Sequence, residues 1–379
     1  MSAQAHERDG NGLVLLAAGG TGGHLFPAEA LARELIARGR PVALVTDTRG
    51  TRFPVDGVQT HSIRAARLGG GLAGRLRFFA DLALGILGAR RLLRRLRPAV
   101  VVGFGGYPSF PSMAAATLLG LPTVIHDQNA VLGRANKKLA PRVRAIATAF
   151  AEVKGITPAD QAKVTRTGNP VRPAIAALRA LPYTPPDPEG PIHLLIVGGS
   201  QGARILSRVV PAALLDLPDA LKCRLRVSQQ VRREDVATVS AAYEGSGLAI
   251  ETAAFFTDIP ERLARAHLVL CRSGGSTTAE LAVAGRPAIL VPFAGAIADE
   301  QTANARALIA EGGGWLLTEA DFTPQTLGRL LRERLADPAG LAAAAAAARR
   351  QGEPAAAHKL ADLVERVGHM EQVGKETRL

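Results

Sequence analysis

Cysteine is nearly absent: Cys223 and Cys271 are the only two in 379 residues, too few for a disulfide framework or a cysteine-based zinc site. Aromatic residues make up only 4% of a chain that is 47% hydrophobic. The apolar mass is therefore Ala, Leu and Val, with many glycines, which suits helices packed closely on parallel sheets. Acids are also in deficit, 33 against 46 Lys and Arg, for a net charge of +13. That balance fits nucleic acid, an anionic membrane surface or a phosphorylated substrate. No segment carries a Walker lysine, a nucleophile elbow or metal-ligand spacing, so neither a metal nor another cofactor is expected. The polar start, MSAQAHERDGNG, and the short apolar run after it do not make a signal peptide, and a cytoplasmic chain is the expectation. One run without charge, 99–125, is long enough to span a bilayer. It holds four glycines and three prolines, and PSFPS should break a helix in its middle, so it reads as strand, loop, helix, strand.

Against these absences stand two glycine-rich turns 180 residues apart, LVLLAAGGTGGH (Leu13–His24) and HLLIVGGSQGAR (His193–Arg204). Each reads as a buried strand, a glycine turn holding a hydroxyl residue, and a helix start. Glycines let backbone approach a ligand, and a helix N-terminus offers N–H groups and positive dipole to phosphate. The first turn lacks the G-x-G-x-x-G spacing of a dinucleotide fold, with His24 in the third glycine's place, although Asp47 follows about where a ribose-binding acid would sit. Two such turns in halves of similar size point to two Rossmann-like domains facing one phosphorylated ligand.

Strands are expected at 13–17, 41–46, 99–103, 123–125 and 143–147, with a helix over Pro27–Arg38, and again at 192–197, 223–228, 248–251, 267–271 and 287–291. Strands alternating with helices give an α/β, doubly wound parallel sheet in each half, with ligands beyond the carboxyl ends of the strands. The proline-rich segment Leu181–Pro191 reads as a linker. It divides the chain into 1–180, 192–350 and a helical tail, 351–379, with an alanine-rich stretch from Leu341 onward. Between Arg64 and Arg97 lie nine arginines and one acid, Asp81, alternating with Leu, Ile and Phe. Two readings stand: an amphipathic helix with a solvated basic face, or a helix resting on anionic lipid headgroups. The pattern is not that of an RNA-binding segment, and no nucleic-acid partner is expected.

Several polar clusters fall at expected strand ends. Tyr107, Pro108 and Ser109 lie in the loop after one strand. His126-Asp127-Gln128-Asn129 follows another, and four polar groups where a turn needs one or two suggest a polyhydroxylated ligand. Arg172 closes the first half in TGNPVRP. In CRSGGSTTAE (Cys271–Glu280), Thr277 and Glu280 fit a capping box, and the alternative is a carboxylate accepting hydrogen bonds from a ribose. Gln301 and Asn304 stand out in ADEQTANARAL.

Taken together, GGTGGHLFPA, GGYPSFPS, HDQNAVLGRANK, TGNPVR, GGSQGA, CRSGGSTTAE and DEQTANA resemble the MurG family of peptidoglycan N-acetylglucosaminyltransferases over nearly the whole chain. The resemblance implies the GT-B fold, two Rossmann-like domains facing a cleft, with 1–180 on the acceptor and membrane side and 192–350 binding UDP-GlcNAc. It implies transfer of GlcNAc from UDP-GlcNAc to the C4 hydroxyl of MurNAc in lipid I, the undecaprenyl-pyrophosphoryl-MurNAc-pentapeptide. The enzyme would act as a peripheral protein on the cytoplasmic face of the inner membrane, touching an anionic membrane surface; a GT-B transferase with a different lipid acceptor is the alternative. Carried over by position, Thr21, Gly22 and Gly23 contact the ligand in the first glycine loop and Asn129 touches the donor sugar. Arg172 and Ser200 contact the nucleotide. Gly275, Ser276, Thr277 and Glu280 line uridine and ribose, Gln301 binds the GlcNAc, and Asn304 lies one turn on. Asp127 stands where many relatives have glutamate. An α-linked donor and a β-linked product mean inversion at C1, which needs a base for the acceptor hydroxyl. His24, at a helix N-terminus, is the first candidate and Asp127 the second.

Overall fold

The structure is a computed structural model. It describes residues 12–19, 22–47, 53–64, 71–199, 202–296 and 298–369, with the backbone alone for 71–76. The chain forms two compact units, 1–172 with 355–379, and 173–354.

The first unit holds a seven-stranded, wholly parallel sheet in the order β3-β2-β1-β4-β5-β6-β7. Its strands are β1 (Val14–Ala17), β2 (Val42–Thr46), β3 (Gln59–Ser62), β4 (Val100–Gly103), β5 (Thr123–Asp127), β6 (Ala145–Thr148) and β7 (Val164–Arg166). The helices are α1 (Gly22–Ala37), α2 (Gly71–Leu96), α3 (Gly106–Leu118) and α4 (Arg134–Leu139). Alternate side chains of each strand serve opposite faces, as the pleat requires. Val14 and Leu16 of β1 pack with Leu31 and Leu35 of α1, whereas Leu15 and Ala17 pack with Leu93 of α2 and Met113 of α3.

The second unit holds a six-stranded parallel sheet in the order β10-β9-β8-β11-β12-β13. Its strands are β8 (Ile192–Val197), β9 (Leu225–Gln230), β10 (Ala249–Ala253), β11 (Leu268–Cys271), β12 (Ala288–Leu290) and β13 (Gly314–Leu316). Its helices are α5 (Pro173–Ala177), α6 (Arg204–Leu215), α7 (Asp219–Lys222), α8 (Val236–Ala242), α9 (Ile259–Arg265), α10 (Gly275–Ala284), α11 (Glu300–Ile309), α12 (Pro324–Leu335) and α13 (Pro338–Gln351). Ile192, Leu194 and Ile196 of β8 meet Leu206 and Val210 of α6 and Leu327 and Leu331 of α12.

The unit boundaries depart from the sequence reading. The chain passes between units at 172/173 and 354/355, and Leu181–Pro191 lies inside the second unit. The last helix, α14 (Ala356–Val367), is no loose tail: Leu360, Leu363 and Val364 fill the same sheet face as α1. Ion pairs fix it there. Arg38 Nη1 donates to Asp362 at 2.7 Å and to Glu365 at 2.8 Å, and Arg40 Nε donates to Glu365 at 2.7 Å. PSFPS does not break a helix. The loop ends at Gly105, and Pro108 falls in the first turn of α3, where a missing N–H costs little.

Candidate active site

In a doubly wound sheet the strand order reverses at one place, and loops leaving the carboxyl ends of the two strands there diverge to leave a crevice. In the first unit these strands are β1 and β4, in the second β8 and β11. The four loops leaving them carry GGTGGH, GFGGYP, GGSQGA and RSGGST. The two glycine turns found by sequence thus stand at the two switch points, each beside a second glycine turn.

At the first switch point, α1 starts at Gly22, so Gly22, Gly23 and His24 form its first turn. The His24 ring packs on the turn after β4. A Cβ built on Gly105 or Gly106 would lie 3.5–3.6 Å from its Nε2, and both glycines have positive φ, 83° and 74°. Burial lowers the imidazole pKa, and a helix N-terminus acts in the same direction on an imidazolium. His24 is therefore neutral at pH 7 and able to accept a proton. Gly19 has no room for a side chain: its Cβ would fall 2.8 Å from Thr46 Oγ1 and 2.9 Å from Pro108 Cβ. Arg172 stacks over the Phe26 ring, 4.7 Å from its centroid, so the end of the first sheet's chain returns to the helix that carries His24.

The polar run after β5 turns mostly inward. His126 is fully buried, with Nε2 3.0 Å from the Gly168 carbonyl oxygen and Nδ1 3.0 Å from Gln128 Nε2. Gln128 also donates to the Phe104 carbonyl at 3.1 Å. Asp127 is 2% exposed and accepts from the amides of Asn129 and Gly133 and from Asn136 Nδ2. Burial raises its pKa against the pull of those donors. Asp127 thus has its oxygens engaged and covered, and it shapes the loop. Of the four residues only Asn129 is partly exposed.

At the second switch point the turn after β8 is tight enough to demand glycine. A Cβ on Gly198 would lie 2.4 Å from the Ala203 nitrogen, and Gly199 and Gly202 have φ of 84° and 69°. Gln230, at the end of β9, holds this turn by accepting from the Gly198 amide and donating to the Gly199 carbonyl, both at 3.0 Å. The turn after β11 ends at Gly274, the N-cap of α10, which puts Gly275, Ser276 and Thr277 in the first helical turn. Thr277 is thus inside the helix, and the capping box with Glu280 does not form. Glu280, Ser276 and Thr277 are partly exposed.

The start of α11 is tied to the same turn. Ser273 Oγ donates to the Gln301 carbonyl at 2.8 Å, and Asn304 Nδ2 donates to the Ser273 carbonyl at 3.0 Å. Asn304 is fully buried, and this bond fixes the start of the helix against the turn. Gln301 is partly exposed, with Oε1 accepting from the Phe293 amide at 3.1 Å. Thr21 and Ser200 lie outside the described residues.

Comparison with known proteins agrees with this geometry. Residues 14–148 match the glycosyltransferase family 28 N-terminal domain and residues 193–367 its C-terminal domain. The chain is 55% identical to a protein of Rhodospirillum centenum over 93% of both chains, and 49% identical to one of Rhizobium meliloti over 97% of this chain and 99% of the other. Both bear the name UDP-N-acetylglucosamine–N-acetylmuramyl-(pentapeptide) pyrophosphoryl-undecaprenol N-acetylglucosamine transferase. The chain belongs to the MurG branch of glycosyltransferase family 28. Among solved structures it resembles Acinetobacter baumannii MurG, with a TM-score of 0.75 at 29% identity, covering 94% of this chain and 99% of that one.

In this family 28 chain, residues that sequence reasoning missed are those holding the turns. Gln230 lies outside every motif, and Arg272 and Ser273, though inside CRSGGSTTAE, are not singled out by it. Arg272 Nη1 donates to the carbonyls of Val291 and Pro292 at 3.0 and 3.1 Å, and its guanidinium pairs with Glu319. It thereby fixes the backbone from which Phe293 reaches Gln301. Gly105 and Gly106 were visible as a glycine pair, but their relation to His24 depends on β4 lying next to β1.

Proposed function

We propose that this chain catalyses the inverting transfer of GlcNAc from UDP-GlcNAc to the C4 hydroxyl of MurNAc in undecaprenyl-pyrophosphoryl-MurNAc-pentapeptide, giving lipid II. The observation that carries this is similarity over most of the chain, for example 55% identity over 93% of both chains, to proteins named for that transfer, combined with glycine turns at both switch points. In the reaction the acceptor oxygen attacks C1, the C1–O bond to the pyrophosphate breaks, and UDP departs. His24 takes the hydroxyl proton. Its neutral imidazole, packed on Gly105 and Gly106, supports this role, as does the engagement of Asp127 elsewhere. Charge on the departing diphosphate is met by the amides of the second glycine turn, held by Gln230, with Ser200 and Arg172. Glu280 accepts from the ribose hydroxyls, Gly275, Ser276 and Thr277 line the uridine, and Gln301 and Asn129 bind the sugar. Thr21, Gly22 and Gly23 serve the ligand phosphates of the first turn.

The protein works as a peripheral enzyme on the cytoplasmic face of the inner membrane, with α2 against an anionic surface. Among the described residues no helix is long and apolar enough to cross a membrane. On α2, Phe79, Leu84 and Leu87 are about half exposed or more, among arginines, as an interfacial helix requires. The test is transfer of label from UDP-GlcNAc to a panel of lipid acceptors. Label should enter a polyprenyl-pyrophosphoryl-MurNAc-peptide and not diacylglycerol or simple polyprenyl phosphates. Equal transfer to those lipids would favour another GT-B activity.

A further inference from the structure

The edge strand β3 and helix α2 enclose a groove of about 450 Å³ that no step of the transfer uses. The chain makes the groove by close approach. A Cβ on Gly85 would lie 2.5 Å from the Arg64 carbonyl oxygen, so α2 meets the end of β3 backbone to backbone. His61, Ser62 and Arg64 line one wall, and Leu84 and Arg95 the other. The charge there is poorly compensated. Among the described residues Arg64 pairs only with Asp81, at 3.7 Å, and Asp81 is shared with Arg77 at 4.0 Å. Arg95 forms no ion pair among the described residues, and His61 Nε2 is buried without a hydrogen-bond partner. Burial and the field of Arg95 both lower the His61 pKa, as expected where positive charge gathers without an anion.

We propose that this groove binds the phosphate group of an anionic membrane lipid, with Arg64 and Arg95 as its charged donors. The inference rests on the membrane reading above and goes beyond it: a shaped headgroup site differs from diffuse attraction by a basic helix. Two arginines converging on a small groove can give directional, charge-assisted hydrogen bonds to phosphate oxygens. A lipid fits better than free phosphate because Leu84, half exposed, forms part of the wall and Leu87 and Phe79 continue the apolar surface along α2.

The test compares two double variants of the full chain that lose equal charge on or beside α2. R64A/R95A removes the groove's donors, and R90A/R91A removes two exposed arginines outside it. Binding is measured by sedimentation with phosphatidylcholine vesicles, with and without phosphatidylglycerol. The groove variant should bind anionic vesicles roughly tenfold more weakly than the control variant, since it loses directional bonds as well as charge. In parallel, short-chain, water-soluble phosphatidylglycerol should shift the His61 imidazole resonances, and inorganic phosphate at the same concentration should not. Equal losses in the two doubles, with wild type still preferring anionic vesicles, would overturn the groove and leave the membrane reading intact. A wild type without that preference would overturn the membrane reading and the lipid site with it. An equal shift by inorganic phosphate would overturn the lipid assignment in favour of a soluble anion.

Discussion

Acid should weaken the first unit through one residue, His126. The ring is fully buried, and a carbonyl oxygen can only accept, so Nε2 carries the proton toward Gly168 and Nδ1 accepts from Gln128. A second proton on Nδ1 would face the Gln128 amide hydrogens. Turning that amide over would aim its oxygen at the Phe104 and His126 carbonyls, which it now serves as donor. Burial adds to this conflict, and the pKa falls from 6.5 to about 4. The unfolded chain therefore takes up a proton first as pH drops. The associated stability is complete above about 6.5 and is lost as pH falls toward 4, below which both states are protonated. Between pH 7.5 and 4.5 this amounts to roughly 2.5 kcal/mol. Urea unfolding of wild type and His126→Gln at matched ionic strength measures it: the variant is less stable at neutral pH, and the gap should close by about that amount on acidification. Other histidines, including His267, contribute equally to both proteins and cancel. A gap that stays constant, or an imidazole resonance titrating near the ordinary 6.5, would refute the reasoning.

Two further outcomes test other parts of the account. Glu365→Ala removes the acceptor that Arg38 and Arg40 share in a largely covered site, while Arg38 keeps Asp362 and Glu34, so calorimetry should find the first unit less stable by roughly 1.5–3 kcal/mol; a change within experimental error would mean that apolar packing alone holds α14. Glu280→Ala should weaken UDP-GlcNAc binding by roughly 1.5–3 kcal/mol for each charged hydrogen bond lost; unchanged affinity with a lower melting temperature would return Glu280 to a structural role.

What could be read from sequence was what is local. VLLA, VVVG and IHLLIV are apolar runs bounded by glycine turns, and each became a central strand in the expected place. QTHS became β3 without any apolar signal, because an edge strand half open to solvent needs little burial. The sequence of α14 shows an amphipathic helix, but not which sheet face its apolar side will complete. Prolines at Leu181–Pro191 suggested a linker, whereas the crossings fall beside Arg172 and Pro354, where long-range contacts rather than composition decide. Polarity at His126, Asp127 and Gln128 signalled a demand for hydrogen bonds without its direction. The structure meets that demand from the backbone, from Asn136 and within the run itself, leaving Asn129 as the partly exposed member. The glycine turns were the most legible part of the site, because a positive φ or a missing Cβ is written in the residue itself.

The central claim is that the first switch point is the catalytic centre and His24 its base. The most direct measurement is the pH dependence of kcat for transfer of GlcNAc to a polyprenyl-pyrophosphoryl-MurNAc-peptide by wild type and His24→Ala. With the imidazole pKa lowered by burial, the wild-type rate should hold through neutral pH and fall only as acid protonates the ring. The variant should lose roughly 10²–10⁴-fold in kcat with donor KM nearly unchanged, and its acidic limb should vanish or move. A variant that keeps its kcat and acidic limb while donor KM rises steeply would contradict the claim, leaving His24 as a support of the glycine turn.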